Sequence, residues 1–173
     1  ALDDWQVFPV VERGEVKGFS PDEPIFWQLP GGSLFGLFRD NSGTQRLFQA
    51  TSTDGGRSWS RPAITNFPNA TSKIFGLQTT GGDWLLCSNA NPKLGRRELH
   101  LSNSRDGQTF TQFSLLAVPT PPEVAELGLL NRKFRSGIAS LQYPHLLEHE
   151  GQLYIALSRG KKQIEVLKIP LTK

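Results

Sequence analysis

The 173-residue sequence predicts an all-β fold, and two observations support this prediction. Short runs rich in Phe, Leu, Ile and Trp recur along the chain, each bounded by Gly, Pro, Asn or Asp, which is the pattern of strands joined by turns. Helical periodicity is nearly absent; the exception is PPEVAELGLLN (121–131), where two prolines followed by Glu and Ala predict a short surface helix. The length favours a single structural unit with a core of its own.

Three segments of the chain repeat one order of elements. The first begins PIFWQLPGGSLFGLF, the second KIFGLQTTGGDWLLC and the third QYPHLLEHEGQLYIAL. Each has an apolar strand, a glycine turn, a second apolar strand, a polar loop and a third strand, and the first two segments add a fourth strand. Four antiparallel strands in about 45 residues match a β-propeller blade. We therefore predict one unit over residues 1–173, with blades at about 21–65, 72–117 and 140–171 and a loop insertion at 118–139.

Two of the predicted blades carry a polar turn between their third and fourth strands. These turns are STDGGRSWS (52–60) and the more degenerate SRDGQTF (104–110). An Asp carboxylate accepts hydrogen bonds from turn N–H groups, glycine allows positive φ, and an aromatic residue fills the space between sheets. We expect a structural role for the residues of both turns, namely Ser52, Asp54, Gly56, Trp59, Ser104, Asp106 and Phe110.

The composition argues against several classes of partner. Nineteen Lys and Arg against 16 Asp and Glu, scattered along the chain, give no reason to expect nucleic acid. The basic segment RGKKQIEVLK (159–168) alternates apolar and charged residues, so a solvated edge strand is favoured over a phosphate-binding patch. No apolar run approaches 18 residues, and we expect no membrane partner. Cys87 is expected to be a small buried hydrophobe. His100, His145 and His149 lack metal-ligand spacing, so we expect no metal and no cofactor.

The turn at 52–59 has the pattern Ser-x-Asp-x-Gly-x-Ser-Trp and resembles the Asp-box of sialidases and sialidase-like six-bladed propellers. The segment DEPIFWQLPGGSLFGLFRD (22–40) is similar to a sialidase segment that carries a glutamate before a strand and an arginine after the next strand. By this resemblance, Glu23 assists the nucleophile and Arg39 is the second arginine of a triad that holds the substrate carboxylate. The third arginine is Arg96, with Arg97 as the alternative, and the nucleophile is Tyr143.

The resemblance covers the whole chain, but only as the C-terminal half of a six-bladed propeller. The first arginine of the triad and the aspartate acid/base of sialidases have no counterpart in this sequence. Residues 4–11 (DWQVFPVV) are similar to the outer strand of a preceding blade, and the chain contains no Met, which favours a fragment or a processed chain. Because open sheet edges are costly, we expect either an N-terminal polypeptide or a second copy in a homodimer to complete the ring, and we favour the polypeptide.

Strand direction predicts where the candidate residues lie, because antiparallel strands determine which rim each loop occupies. Glu23 and Tyr143 begin the innermost strands of their blades, Arg39 ends a second strand, and Arg96 follows another, so all four are expected on one rim. Further basic residues and one histidine are expected on the same rim: Lys73, Arg132, Lys133, Arg135, His145 and Arg159. Arginine binds carboxylates in a bidentate manner, so a rim of this kind suits an anionic sugar.

The sequence therefore predicts a sialidase-like exo-glycoside hydrolase, in which Tyr143 attacks and Glu23 accepts the phenol proton. Two alternatives stay open: a non-catalytic carbohydrate-binding or scaffold propeller, and a polysaccharide lyase that uses Tyr143 and His145 on a uronate. Structural roles also stay open for Arg39 at a strand end, Arg96 in a loop and Tyr143 in strand packing. The compartment is unknown; the resemblance favours secretion or a periplasmic location.

Overall fold

The computed structural model describes residues 4–119 and 140–171. The chain forms eleven strands in these ranges, and they pair into three antiparallel sheets. The strands of the first sheet are β1 (Pro21–Gln28), β2 (Leu34–Asp40), β3 (Arg46–Ser52) and β4 (Ala63–Pro68). Those of the second are β5 (Phe75–Gln78), β6 (Trp84–Ser88), β7 (His100–Ser104) and β8 (Thr111–Leu115). Those of the third are β9 (Leu141–His149), β10 (Gln152–Arg159) and β11 (Gln163–Pro170).

Each sheet is a meander in which strands adjacent in sequence are also adjacent in space. The predicted all-β propeller is confirmed, with two sheets of four strands and one of three. β5 contacts both β1 and β9, so the first strands of the three sheets lie next to one another, as the inner strands of propeller blades do. Within the described ranges the one helical segment is a single 3₁₀ turn, Gly95–Arg97, and no helix is long and apolar enough to cross a membrane.

The meander gives the sheets two chemically different ends. Because the strands are antiparallel, the β2–β3, β6–β7 and β10–β11 connections lie at one end, which we call the site end. The starts of β1, β5 and β9 lie there as well. The β1–β2, β3–β4, β5–β6, β7–β8 and β9–β10 turns lie at the opposite end, which we call the box end. Both polar turns found in the sequence are therefore at the box end.

Apolar side chains fill the two spaces between the sheets. All five residues of β6, WLLCS, are buried because the second sheet is covered on both faces, which explains their continuous apolar run. Cys87 is fully buried in this layer, and burial raises the pKa of its thiol. The core between the first and second sheets contains Leu29, Phe35, Leu37, Leu47, Phe67, Ile74 and Leu86. The core between the second and third contains Leu85, Cys87, Leu99, Leu141, Leu146, Leu153, Ile155 and Leu157.

The outward faces of the first and third sheets are only partly covered. On the first sheet, Phe38 and Phe48 pack against residues of the preceding segment, including Phe19, but Phe26 is 65% exposed. On the strand at the edge of the third sheet, Ile164 and Val166 are 74% and 61% exposed. Isolated exposed apolar residues are common, whereas several on one sheet face indicate a surface suited to contact.

Candidate functional site

The turn at 52–59 is closed by hydrogen bonds among its own residues. The Ser52 hydroxyl donates to Asp54 Oδ1 at 2.8 Å and accepts from the Gly56 N–H at 2.9 Å. The Ser58 hydroxyl and N–H both donate to the Asp54 carboxylate, at 2.6 and 2.9 Å. The hydrogen bonds to its carboxylate, of which that from the Ser58 hydroxyl has the largest effect, lower the pKa of Asp54 to about 2. The Trp59 indole N–H donates to the Gly56 carbonyl at 3.1 Å, which holds the ring against the turn.

The degenerate turn at 104–110 repeats this arrangement with other side chains. The N–H groups of Thr109 and Gln108 donate to Asp106 Oδ1 at 2.7 and 2.8 Å and hold the pKa of that carboxyl well below its usual range. Gly107 (φ +73°) packs so closely against the first sheet that its carbonyl accepts from the Trp27 indole at 3.0 Å. The geometry supports the structural role expected for both turns.

Glu23 and Arg39 form an ion pair at the site end of the first sheet. Arg39 Nη1 lies 2.6 Å from Glu23 Oε2 and 3.7 Å from Asp22 Oδ2. The Arg39 side chain is 13% exposed, and its Nε is buried without a hydrogen-bond partner among the described residues. Because only Nη1 contacts these carboxylates and a guanidinium has five donors, Arg39 has the capacity for a further acceptor, such as a ligand carboxylate.

Glu23 and Tyr143 lie at β-bulges near the starts of the inner strands of their sheets. The register of β1 against β2 shifts between Asp22 and Ile25, and that of β9 against β10 shifts near Tyr143. Both residues have left-handed backbones, with φ of 42° and 54°, and both precede a proline. Such conformations are unfavourable for residues with a Cβ and collect at functional sites. Two residues of the predicted site thus share one unusual local geometry.

Arg96 brings the second and third sheets together at the site end. It lies in the 3₁₀ turn between β6 and β7 and donates from Nη1 to Gln142 Oε1 at 2.7 Å and from Nη2 to the Thr71 carbonyl at 3.0 Å. Its guanidinium carbon is 5.9 Å from the centroid of the Tyr143 ring. This separation places a cation against the face of the predicted nucleophile. The neighbouring Arg97 is exposed and forms no side-chain hydrogen bond within the described residues.

Lys73 and His145 form a third contact on this end. Lys73 Nζ lies 2.9 Å from His145 Nε2, and the imidazole packs on the Phe75 ring with centroids 4.8 Å apart. Lysine has no acceptor, so it donates to an unprotonated imidazole nitrogen. Burial, and then the charge of Lys73, lower the pKa of His145.

Arg159 differs from the other predicted ligand-binding residues, because its side chain is 1% exposed and is engaged within the protein. It forms a two-pronged ion pair with Glu165, in which Nη2 lies 2.8 Å from Oε2, and Nη2 also donates to the Pro119 carbonyl. Its charge is thereby neutralised inside the third sheet, and the geometry supports a structural role. Several predicted features lie outside the described residues, namely Arg132, Lys133, Arg135, the surface helix at 121–131 and most of the insertion at 118–139.

The candidate residues meet in separate groups. Glu23 contacts Arg39, Arg96 contacts Tyr143, and Lys73 contacts His145, whereas no hydrogen bond of the described residues joins Glu23 to Tyr143. Sequence reasoning missed Lys161, whose Nζ is 5.6 Å from the Tyr143 ring centroid, and Gln142, which holds Arg96. The signal for Lys161 was present, since the turn between β10 and β11 returns the chain to the site end. No group of three potential metal ligands occurs in residues 4–119 and 140–171.

Comparison with solved structures shows the same architecture. The chain aligns with the leech intramolecular trans-sialidase at 19% identity and a TM-score of 0.63, over 98% of this chain and 26% of that one. It aligns with the intramolecular trans-sialidase of Ruminococcus gnavus at 18% identity and a TM-score of 0.61, over 98% of this chain and 36% of that one. It aligns with the Penicillium chrysogenum α-L-arabinanase at 17% identity and a TM-score of 0.59, over 88% of this chain and 47% of that one. The chain spans less than half the length of each of these proteins, and identities this low show a common fold only.

No curated protein sequence matches the chain. The model of the BNR repeat-like domain matches residues 5–155, which include both polar turns and the site-end residues Glu23, Arg39, Arg96 and Tyr143. The three repeated sheets, the closed polar turns and this match agree with one another. The chain belongs to the BNR repeat-like domain family.

Proposed function

We propose that this chain forms part of a sialidase-like exo-glycoside hydrolase that cleaves a terminal anionic sugar at the site end of the propeller. The observation that carries the proposal is that the cations Arg39 and Arg96 lie at the same end as Glu23 and Tyr143, which both have left-handed backbones at bulges of inner strands. Several of the solved structures with this fold are of glycoside hydrolases, which supports a reaction of that class.

The arginines suit a sugar carboxylate. Among the described residues Arg39 contacts carboxylates through Nη1 only, and Arg96 presents its guanidinium beside the Tyr143 ring. A carboxylate bound between them exchanges water for charge-assisted hydrogen bonds, which are roughly twice as strong as neutral ones. Where the anomeric carbon itself carries a carboxylate, a neutral phenol meets less repulsion than an anionic nucleophile does.

In the proposed reaction, the Tyr143 oxygen forms a bond to the anomeric carbon while the bond to the leaving group breaks. The phenol proton passes to the Glu23 carboxylate, and water then releases the sugar from the glycosyl-enzyme. Glu23 accepts from Arg39 in the present structure, so this transfer requires Glu23 to turn toward Tyr143 or to act through one water. Catalytic hydrogen bonds often tighten only once substrate is bound. The acid that protonates the leaving group is expected on blades beyond this chain.

We propose that other blades cover the exposed faces of the first and third sheets. Phe26 and Ile64 are exposed on the first sheet, and Leu147, Ile164 and Val166 on the third. An additional N-terminal polypeptide is the partner we favour, and a second copy of the chain is the alternative. Light scattering distinguishes them, because a homodimer has twice the mass of the chain.

Hydrolysis of a fluorogenic sialoside tests the function, with arabinofuranoside and galactoside substrates as neutral controls. We expect turnover of the sialoside alone, measured on the sample whose mass has been determined. Equal turnover of the neutral sugars would overturn the choice of an anionic substrate. If the isolated chain is an inactive monomer, the same assay is made on the chain joined to its remaining blades, and inactivity there would overturn the proposal.

A non-catalytic carbohydrate-binding propeller is the second candidate, favoured by the engagement of Glu23 with Arg39 rather than with Tyr143. The variants Arg39→Ala and Tyr143→Phe distinguish the two. An enzyme loses sugar binding with the first and turnover with the second, whereas a binding module loses affinity with the first and shows no turnover in either form.

A further inference from the structure

Most cations of the site end already have acceptors inside the protein. Arg39 is paired with Glu23, Arg96 with Gln142 and Thr71, and Arg159 with Glu165, while Lys73 donates to His145. Each of these contacts occupies part of a cation's donors and partly neutralises or screens its charge, so a ligand must share the cation with an acceptor of the protein. The most available charge near Tyr143 should therefore belong to a residue without such a partner.

Lys161 meets this condition. Lys161 is exposed, and its ammonium lies 5.6 Å from the Tyr143 ring centroid. Across the ranges 4–119 and 140–171, it forms neither a side-chain hydrogen bond nor an ion pair. Arg96, the other cation against this ring, is bound to two acceptors.

The turn that carries Lys161 is well anchored. The Gly160 N–H donates to the Ser140 carbonyl at 2.8 Å, and the Lys162 N–H donates to the Arg159 carbonyl at 3.0 Å. Lys161 itself has φ of 60°, a left-handed conformation that is unfavourable for most residues with a Cβ. The backbone is thus held in position, while the long side chain stays free to reach a ligand.

We propose that Lys161 binds the carboxylate of the sugar next to Tyr143 and thereby contributes to selection of anionic over neutral sugars. This inference rests on the proposed function. A carboxylate attached to the carbon that Tyr143 attacks lies within reach of a cation positioned against the Tyr143 ring. The ammonium supplies up to three donors and a full charge, both of which a neutral sugar leaves unused.

Lys168 provides a matched control within the same sheet. Its Nζ also lies 5.6 Å from a tyrosine ring centroid, that of Tyr154. Tyr154 and Lys168 are paired residues of β10 and β11 close to the box end, far along the strands from the turn at Lys161. A substitution of Lys168 therefore removes an equivalent charge and an equivalent ring contact, but not at the site end.

The experiment measures binding of a methyl α-sialoside by NMR, with the neutral methyl galactoside as comparison, on the chain or its complete propeller. The chain has two tyrosines, so Tyr143→Phe assigns the ring signals of Tyr143. Lys161→Asn is the test variant, because Asn tolerates the left-handed turn. We expect it to weaken sialoside binding about tenfold, the order of one charge-assisted hydrogen bond, while Lys161→Arg restores most of the affinity. Lys168→Ala should bind like the wild type.

The outcomes separate this inference from the function on which it rests. If the wild type binds the sialoside and Lys161→Asn binds it as tightly, the role of Lys161 is overturned and the proposed function stands. If the wild type binds no sialoside even as the complete propeller, both fall. If Lys168→Ala weakens binding as much as Lys161→Asn, the effect is one of overall charge, and the specific role is again overturned.

Discussion

The two polar turns of the box end and the cations of the site end use their charges in different ways. At the box end, Asp54 and Asp106 accept hydrogen bonds from groups two to four residues away in their own turns. At the site end, the side-chain partners are far away in sequence: 16 residues for Arg39, 46 residues for Arg96 and 72 residues for Lys73. Local contacts complete a turn without help from the rest of the fold. Long-range contacts bring together groups from distant parts of the chain, and those of Arg96 and Lys73 reach residues of the third sheet, as a binding site requires.

The largest effect should come from the nucleophile proposed at the site end. We expect Tyr143→Phe to reduce sialoside turnover by at least about a thousandfold, because removal of a nucleophile eliminates the covalent step. Sugar binding should change little, since the ring and its contacts with Arg96 and Lys161 are kept. Steady-state kinetics with the fluorogenic sialoside measure the loss. Tyr154→Phe is the control, and equal losses in the two variants would remove Tyr143 from the chemistry.

The ion pair between Arg159 and Glu165 tests whether a cation at the site end contributes to stability. In Glu165→Ala the buried guanidinium loses its carboxylate, and breaking a buried pair from one side costs about 3–5 kcal/mol. Urea unfolding, followed by tryptophan fluorescence, measures this loss. Glu150→Ala, in which an exposed carboxylate 3.7 Å from His149 is removed, should change the free energy of unfolding by less than about 1 kcal/mol. Similar values for the two variants would contradict the structural role of Arg159.

Two glycines of the box-end turns test how far close packing there contributes to stability. Gly55 and Gly107 occupy matching positions and both have φ of +73°, but only Gly107 lacks room for a Cβ, which would lie 3.0 Å from Trp27, Leu29 and Trp84 atoms. Both substitutions to Ala carry the backbone penalty, and Gly107→Ala adds about 1–3 kcal/mol of overpacking. The difference between their free energies of unfolding isolates the packing between the first two sheets. Equal losses of unfolding free energy would mean that the close packing of Gly107 against the first two sheets does not contribute to stability.

These features differ in how far the sequence alone could predict them. The sheets and the closed turns follow from alternation, glycine turns and local hydrogen-bonding residues, all visible over short spans. The rim shared by Glu23, Arg39, Arg96 and Tyr143 follows from strand direction. The partners of Arg159 and Arg96 could not be predicted, because burial and contacts such as that with Gln142 depend on side-chain positions across sheets. The left-handed backbone of Tyr143 was equally hidden, since nothing in a tyrosine followed by proline specifies a bulge.

The smallest expected effect is the pH response of His145. Burial and Lys73 lower its pKa in the folded protein, so the neutral ring favours folding. This stabilisation is complete above the unfolded pKa of about 6.5 and is lost as the pH falls below it through the folded value. NMR titration should show His145 protonating below the ordinary histidine pKa of about 6.5, and Lys73→Met should raise the pKa of His145. An unchanged pKa in Lys73→Met would show that the contact with Lys73 does not act on the ring.

We propose that residues from different sheets act on one ligand at the site end. Calorimetric titration of a methyl α-sialoside into the wild type, Arg39→Ala of the first sheet and Arg96→Ala of the second tests it most directly. We expect each substitution to weaken binding about tenfold or more, and a sialoside whose carboxylate is reduced to an alcohol to bind poorly to all three proteins. Binding that is unaffected by either arginine, or that is as tight for the reduced sugar, would contradict it.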